Sequence, residues 1–290
     1  MDLEIKPGRQ SDAKDANSKL SDIEQGDLIL RDLGYFSIDT LLGIDNAKAF
    51  FISKLNVKVA VYEKSGGKMV KLDFGKLYAF MTKNNIPRIE KAVYIGEKEK
   101  MPLRMVINVM PDEQIEKRTR KITRYNKRKK HQVSDEYLNR LKFNLVITNL
   151  PVDIATSGSI LLIYKLRWQI ELMFKIWKST FGIHTTRKMK IERFLYLLYS
   201  KLLLLTINWE IITNIRSCYY KKEGKLLSFD KCFKTISTRL EKFRKAMFQN
   251  KSTIKRFIQQ LADLFQTKHW LEARKNKVKP EEILMLITDI

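Results

Sequence analysis

Five side chains in the stretch 164–178 could act together: Tyr164, Arg167, Glu171, Lys175 and Lys178. Placed on a helix at about 100° per residue, they fall within an arc of roughly 80°. Leu166, Ile170, Met173 and Trp177 gather on the opposite side, as an apolar face would. A carboxylate can hold a divalent cation through hard oxygen ligands. The neighbouring guanidinium and ammonium groups can hold phosphates, Arg by a fork of donors and Lys as a point charge. Together these groups make half of a metal-dependent phosphodiester site. The same stripe also suits an ordinary amphipathic helix with a solvated charged face.

The balance of charge favours a polyanionic partner. Among 290 residues there are 56 Lys or Arg and 32 Asp or Glu, a formal net charge of +24. Such a chain attracts nucleic acid or anionic membrane, although a merely Lys-rich composition gives the same sum. The densest run is 117–130, with nine Lys or Arg, no acid and Tyr125 interleaved. Arg118, Arg120, Lys121 and Arg124 in that run are candidates for nonspecific contact with a phosphate backbone, with affinity falling as salt rises. A solvated segment is the alternative. The two cysteines, Cys218 and Cys232, lack metal-ligand spacing and fit a reducing cytoplasm. The polar N-terminus is not a signal peptide. The most apolar stretch, 194–209, is interrupted by Lys201 and falls short of the roughly 18–20 clean apolar residues of a membrane span. It reads as a buried helix with no membrane partner. His131, His184 and His269 stand apart and read as structural or exposed. Trp177 reads as core, and Trp168 is open between surface and base stacking.

Elements that would position these groups can be read along the chain. Leu28, Ile29 and Leu30 form a short strand that stops at Arg31 and Asp32. Gly34 turns the chain, and Ser37 caps a helix carrying Leu41, Leu42 and Ile44. Residues 49–55 return to strand. From 56 to about 110, short alternating runs separated by turn signals read as antiparallel strands. Pro111 and Asp112 open a basic helix, 143–150 is a strand, and from Ser159 the pattern is helical to the end. The β-rich block looks inserted between two parts of an α/β core.

The spacing Tyr164, Arg167, Glu171, Lys178 resembles the signature of the bacterial insertion-sequence transposases of family four, matching at every spaced position. The segment 26–37 is similar to that family's segment around its second catalytic aspartate. The resemblance runs from near the N-terminus to about Lys178 and is weakest in the C-terminal helices. It implies a ribonuclease H-like core, with a β-rich insertion between the second aspartate and the glutamate helix. It also implies two magnesium ions held by an Asp-Asp-Glu triad, with Asp32 as the second Asp and Glu171 as the Glu. Tyr164, Arg167 and Lys178 would then hold phosphates of the transposon end. In a two-ion site, one ion activates the attacking oxygen and the other stabilises the leaving oxygen.

The implied domains are 1–55, a partial core with the second Asp; 56–142, the β-rich insertion ending in the basic helix; 143–187, the core strand and glutamate helix; and 188–290, a helical region. In this fold the first Asp precedes the second by two strands and a helix or more, around 40 residues at average element lengths. Only 31 residues precede Asp32, so Asp2, Asp12, Asp15, Asp22 and Asp27 are poor candidates. The expectation is an N-terminally truncated transposase that binds DNA, pairs as a homodimer on it and works at the bacterial nucleoid, but lacks cleavage for want of the first Asp. The rival expectations are a noncatalytic basic DNA-binding regulator and an unstable remnant.

Overall fold

The computed structural model describes residues 17–129 and 133–272. Asp2, Asp12, Asp15, His131 and the helical pattern expected beyond residue 272 lie outside them. The chain forms two compact units that divide after Arg167.

The first unit is built on a seven-stranded mixed sheet. Its strands are β1 (Leu28–Leu30), β2 (Phe50–Lys54), β3 (Val61–Ser65), β4 (Lys68–Lys71), β5 (Arg88–Ile95), β6 (Met101–Val109) and β7 (Phe143–Thr148), in the spatial order β1-β2-β7-β6-β5-β3-β4. Among the described strands, only β1 and β2 pair in parallel. A parallel pair needs a crossover, and α1 (Ile38–Asn46) supplies it, started by Ser37, whose Oγ accepts from the Thr40 amide at 3.0 Å. β7 joins β2 antiparallel, with Ile52 opposite Thr148, and β6 runs alongside β7 from Arg104 to Val109. The strands of the β-rich block therefore continue the sheet that β1 and β2 begin.

Alternation along the strands gives the sheet two apolar faces. Phe51, Met105, Ile107 and Ile147 point to one face and pack with Leu41 and Ile44 of α1 and with Phe74, Leu77 and Met81. Ile52, Val106 and Val146, their immediate neighbours, point to the other and pack with Ile160, Ile163 and Tyr164. The last three belong to α5 (Ser157–Lys165).

One helix interrupts the block read as strands, and a second follows the basic helix. Helix α2 (Phe74–Lys83) is capped by Asp73, whose Oδ1 accepts from the Gly75 and Lys76 amides at 2.9 and 3.0 Å. Its buried Phe74, Leu77 and Met81 follow helical spacing. The basic helix α3 (Asp112–Lys129) is followed by α4 (Asp135–Leu141), capped by Ser134. Arg140 of α4 is buried. It donates to the carbonyls of Val57 and Val59 at 2.8 and 2.6 Å and to Glu136 at 2.8 Å.

The second unit is helical: α6 (Arg167–Phe181) from Trp168 onward, α7 (Ile191–Glu223), α8 (Phe229–Ser237), α9 (Leu240–Met247) and α10 (Lys251–Lys268). Gly224, at φ 64°, takes the left-handed conformation that ends α7, and its amide donates to Tyr220 O at 2.9 Å. Leu205, Ile212, Ile215 and Tyr219 of α7 form a core with Phe233, Phe243, Leu261 and Phe265.

Helix α7 corrects the expectation of a buried helix over 194–209. Its second half is covered by α8 to α10, but Tyr196, Tyr199 and Leu203 in the first half are more than half exposed. By length and composition alone, its 33 residues suffice to cross a membrane, because the helix runs well past the apolar stretch read from the sequence.

Candidate functional site

The stretch expected to form one helix is two. Helix α5 ends at Lys165, and α6 begins at Arg167. Between them the Leu166 amide bonds Ile163 O at 2.9 Å, a tighter turn than the regular ladder. Tyr164 thus sits in the last turn of α5, while Arg167, Glu171 and Lys178 lie on α6.

Within the first unit, three of the expected residues meet. Asp32 lies just past the carboxyl end of β1 and caps a short 3-10 turn (Leu33–Tyr35), its Oδ1 accepting from the Leu33 amide at 2.8 Å. Nη1 of Arg167 lies 3.4 Å from the same Oδ1. The Arg167 guanidinium also stands 5.5 Å from the centre of the Tyr164 ring, within reach of a cation–π interaction. Tyr164 is buried against the sheet face. That burial pushes its phenol pKa up, Asp32 adds to the rise and Arg167 opposes it. The group sets an exposed carboxylate beside a mostly buried cation and a buried hydroxyl at the end of a strand.

Within the second unit, Glu171 and Lys178 line an open groove of about 620 Å³ with Phe174, Lys175, Ser179 and His184. Lys175 and Ser179 follow Glu171 at one-turn and two-turn spacing, so the helical stripe signals them. His184 comes from the following segment and carries no such signal. The apolar face expected opposite the stripe is only partly covered: Leu166 and Trp177 pack against apolar cores and Met173 is half-buried, but Ile170 is exposed, and Trp168, left open by the sequence, is exposed as well. His269 is buried, its Nε2 2.5 Å from Thr235 Oγ1, and reads as structural.

On α3, Arg120, Lys121 and Arg124 are exposed, and Arg120 bonds Glu116 at 3.0 Å. Arg118 is turned inward instead, donating to the carbonyls of Leu141 and Phe143 at 3.2 and 3.1 Å. Among the described residues, no group of three or more His, Cys, Asp or Glu side chains could hold a metal ion.

Comparison with known proteins gives these groups a context. A family model described as a transposase DDE domain matches residues 1–207. The transposase for insertion sequence element IS1151 of Clostridium perfringens is 28% identical over 301 residues, which cover 99% of this chain and 63% of that protein. The transposase for insertion sequence element IS231E of Bacillus thuringiensis subsp. finitimus is 29% identical over 280 residues, 92% of this chain and 58% of that protein. The chain thus spans about three-fifths of the length of these relatives. No solved structure matches it. The matched span includes Asp32, Tyr164, Arg167, Glu171 and Lys178, and the chain belongs to the family of transposase DDE domains.

Proposed function

We propose that the protein acts on DNA as an insertion-sequence transposase of family four, binding the element's ends and taking part in phosphodiester cleavage and strand transfer. The single observation that carries this reading is the convergence of Asp32, Tyr164 and Arg167 at the carboxyl end of β1 in a chain of this family. In the proposed roles, Asp32 and Glu171 supply carboxylates, and Tyr164, Arg167 and Lys178 hold phosphates. Exposed Arg120, Lys121 and Arg124 add nonspecific backbone contact, consistent with a net charge of +24.

The core is proposed to be ribonuclease H-like, with residues 56–142 as its inserted β-rich domain. The parallel pair β1 and β2 joined by α1, with Asp32 after β1, supports that reading. The family's chemistry would draw on divalent ions, magnesium in this proposal, which activate the attacking oxygen and neutralise the leaving one. For the chain by itself, DNA binding without robust cleavage is proposed. Pairing as a homodimer on DNA, in the bacterial cytoplasm at the nucleoid, belongs to the same proposal.

A second reading is a noncatalytic DNA-binding regulator derived from a transposase, to which the exposed Arg120, Lys121 and Arg124 are equally suited. Duplex binding by fluorescence anisotropy, with a nicking assay in Mg²⁺, tests both. Binding without nicking supports the proposal for the isolated chain and leaves the regulator standing. Nicking lost on Glu171→Gln makes the chain a complete catalyst. No binding at low salt overturns both readings.

A further inference from the structure

We infer that Arg104, in the β-rich block, is a positioning residue for Tyr164 and Arg167, acting through the loop 150–155 that launches α5. The inference rests on the proposal that Tyr164 and Arg167 contact DNA phosphate.

Arg104 sits on β6 opposite Thr148, the last residue of β7. Its guanidinium reaches past the strand end and gathers four acceptors. Nη1 donates to the carbonyls of Leu150 and Pro151 at 2.6 and 2.7 Å, and Nη2 to the Ala155 carbonyl at 2.9 Å. Nε donates to Glu90 Oε1 at 2.7 Å, so the carboxylate that balances the charge also sets the plane of the fork. The side chain is 13% exposed, which makes these charge-assisted bonds stronger than their surface equivalents.

The loop is held from its other side as well. Thr148 Oγ1 accepts from the Leu150 amide at 3.0 Å, and the Ala155 amide donates to Pro151 O at 3.3 Å. Only Thr156 separates Ala155 from the first residue of α5, and Thr156 is the cap of that helix. Fixing Ala155 O therefore fixes where α5 begins. Packing of Ile160 and Ile163 on the sheet buries the helix, but apolar packing is nondirectional and tolerates small slides. The directional bonds set the axial position, and with it the placement of Tyr164 two turns on. Lysine cannot replace this fork, since an ammonium group has three donors and no planar array.

The test uses the full chain with Arg104→Met and Arg104→Lys. Hydrogen exchange read by mass spectrometry should show loop 150–155 and α5 losing protection on the order of tenfold in Arg104→Met. Protection in α8 and α10 should be unchanged, and Arg104→Lys should fall between. If Arg104→Met does not fold, Arg104→Lys carries the same comparison. Unchanged protection of α5 in a folded variant overturns the inference, as does an equal loss throughout the chain.

A double-mutant cycle on duplex binding supplies the readout that a merely structural role would not move. The loss caused by Arg104→Lys should vanish when Tyr164→Phe and Arg167→Gln are already present. Additive losses overturn the positioning role. If Tyr164→Phe with Arg167→Gln leaves binding unchanged, the DNA reading of the site fails, while the exchange result still decides whether Arg104 sets α5.

Discussion

Arg167 faces Asp32 with Nη1 3.4 Å from Oδ1, and the Asp32 side chain is 58% exposed while that of Arg167 is 14% exposed. An ion pair with one member this open contributes only ~0–1 kcal/mol to stability. The arrangement therefore matters for where it holds a cation rather than for how firmly it holds the fold. Arg167→Gln is expected to change stability by less than about 1 kcal/mol in urea melts. Its affinity for duplex DNA should fall several-fold, and the slope of log affinity against log salt should shrink by about 1. A normal slope in this variant would remove Arg167 from the DNA interface.

Tyr164 gives a prediction at alkaline pH. Burial raises its folded-state pKa above the ordinary phenol value of about 10, and Tyr219 is raised by burial as well. For a group raised in the folded state, the stabilisation is fully present below the unfolded pKa and is lost as pH rises through the folded one. Stability should hold to about pH 10 and decline above it. Tyr164→Phe should reduce that decline, and Tyr164→Phe with Tyr219→Phe should reduce it further. Urea midpoints measured from pH 8 upward decide this: a decline identical in wild type and the double variant would mean other groups govern it.

Several parts of this arrangement were legible in the sequence for local reasons. Ser37 sits before an apolar-periodic run and caps α1 as expected. Pro111 and Asp112 mark the start of α3, and the family signature placed Arg167, Glu171 and Lys178 on one helix. Helix α2 was hidden because the strand texture around it set the reading of the whole block, although Asp73 and the Phe74, Leu77 and Met81 spacing carried the signal. The break at Leu166 was not legible, because Leu166 keeps helical angles at φ −60° and ψ −30°. The exposed half of α7 was missed for a different reason: hydropathy shows which residues are apolar, and tertiary packing decides which of them find partners. Arg104 reads from sequence as one more cation in a strand; only the fold brings three carbonyls to it.

Arg140 should be the costliest single arginine to remove among those discussed. Its side chain is 2% exposed, it serves two carbonyls and Glu136, and it lies 4.7 Å from the centre of the Phe74 ring. Arg140→Met keeps much of the volume but strands the carbonyls of Val57 and Val59. The expected loss is about 2–4 kcal/mol, for buried acceptors left without donors. Urea unfolding at neutral pH measures it, and a loss below about 1 kcal/mol would mean that water replaces the guanidinium.

The two cysteines should differ in reactivity. Cys232 is fully buried in the helical core, and burial pushes its thiol pKa up to about 12. Cys218 is exposed. Since the thiolate is the nucleophile, an aromatic disulfide reagent near pH 8 should titrate Cys218 quickly in the native protein and Cys232 only in denaturant. Fast reaction of both thiols would show that the core around Phe233 opens readily.

The basic helix separates binding from anchoring. Arg120, Lys121 and Arg124 are exposed on α3, whereas Arg118 is bonded to the carbonyls of Leu141 and Phe143. Replacing the three exposed residues with Ala should leave stability within about 1 kcal/mol, because i,i+4 surface pairs such as Arg120 with Glu116 contribute only a few tenths each. The salt slope of DNA binding should fall by about 3, near one per lost phosphate contact. Arg118→Ala should do the reverse. It leaves two carbonyls at the junction of α4 and β7 without a donor, costing roughly 1–3 kcal/mol, and changes the salt slope little. If Arg118→Ala lowered the slope by a full unit at unchanged stability, its side chain would leave those carbonyls for DNA, and the division along α3 would fail.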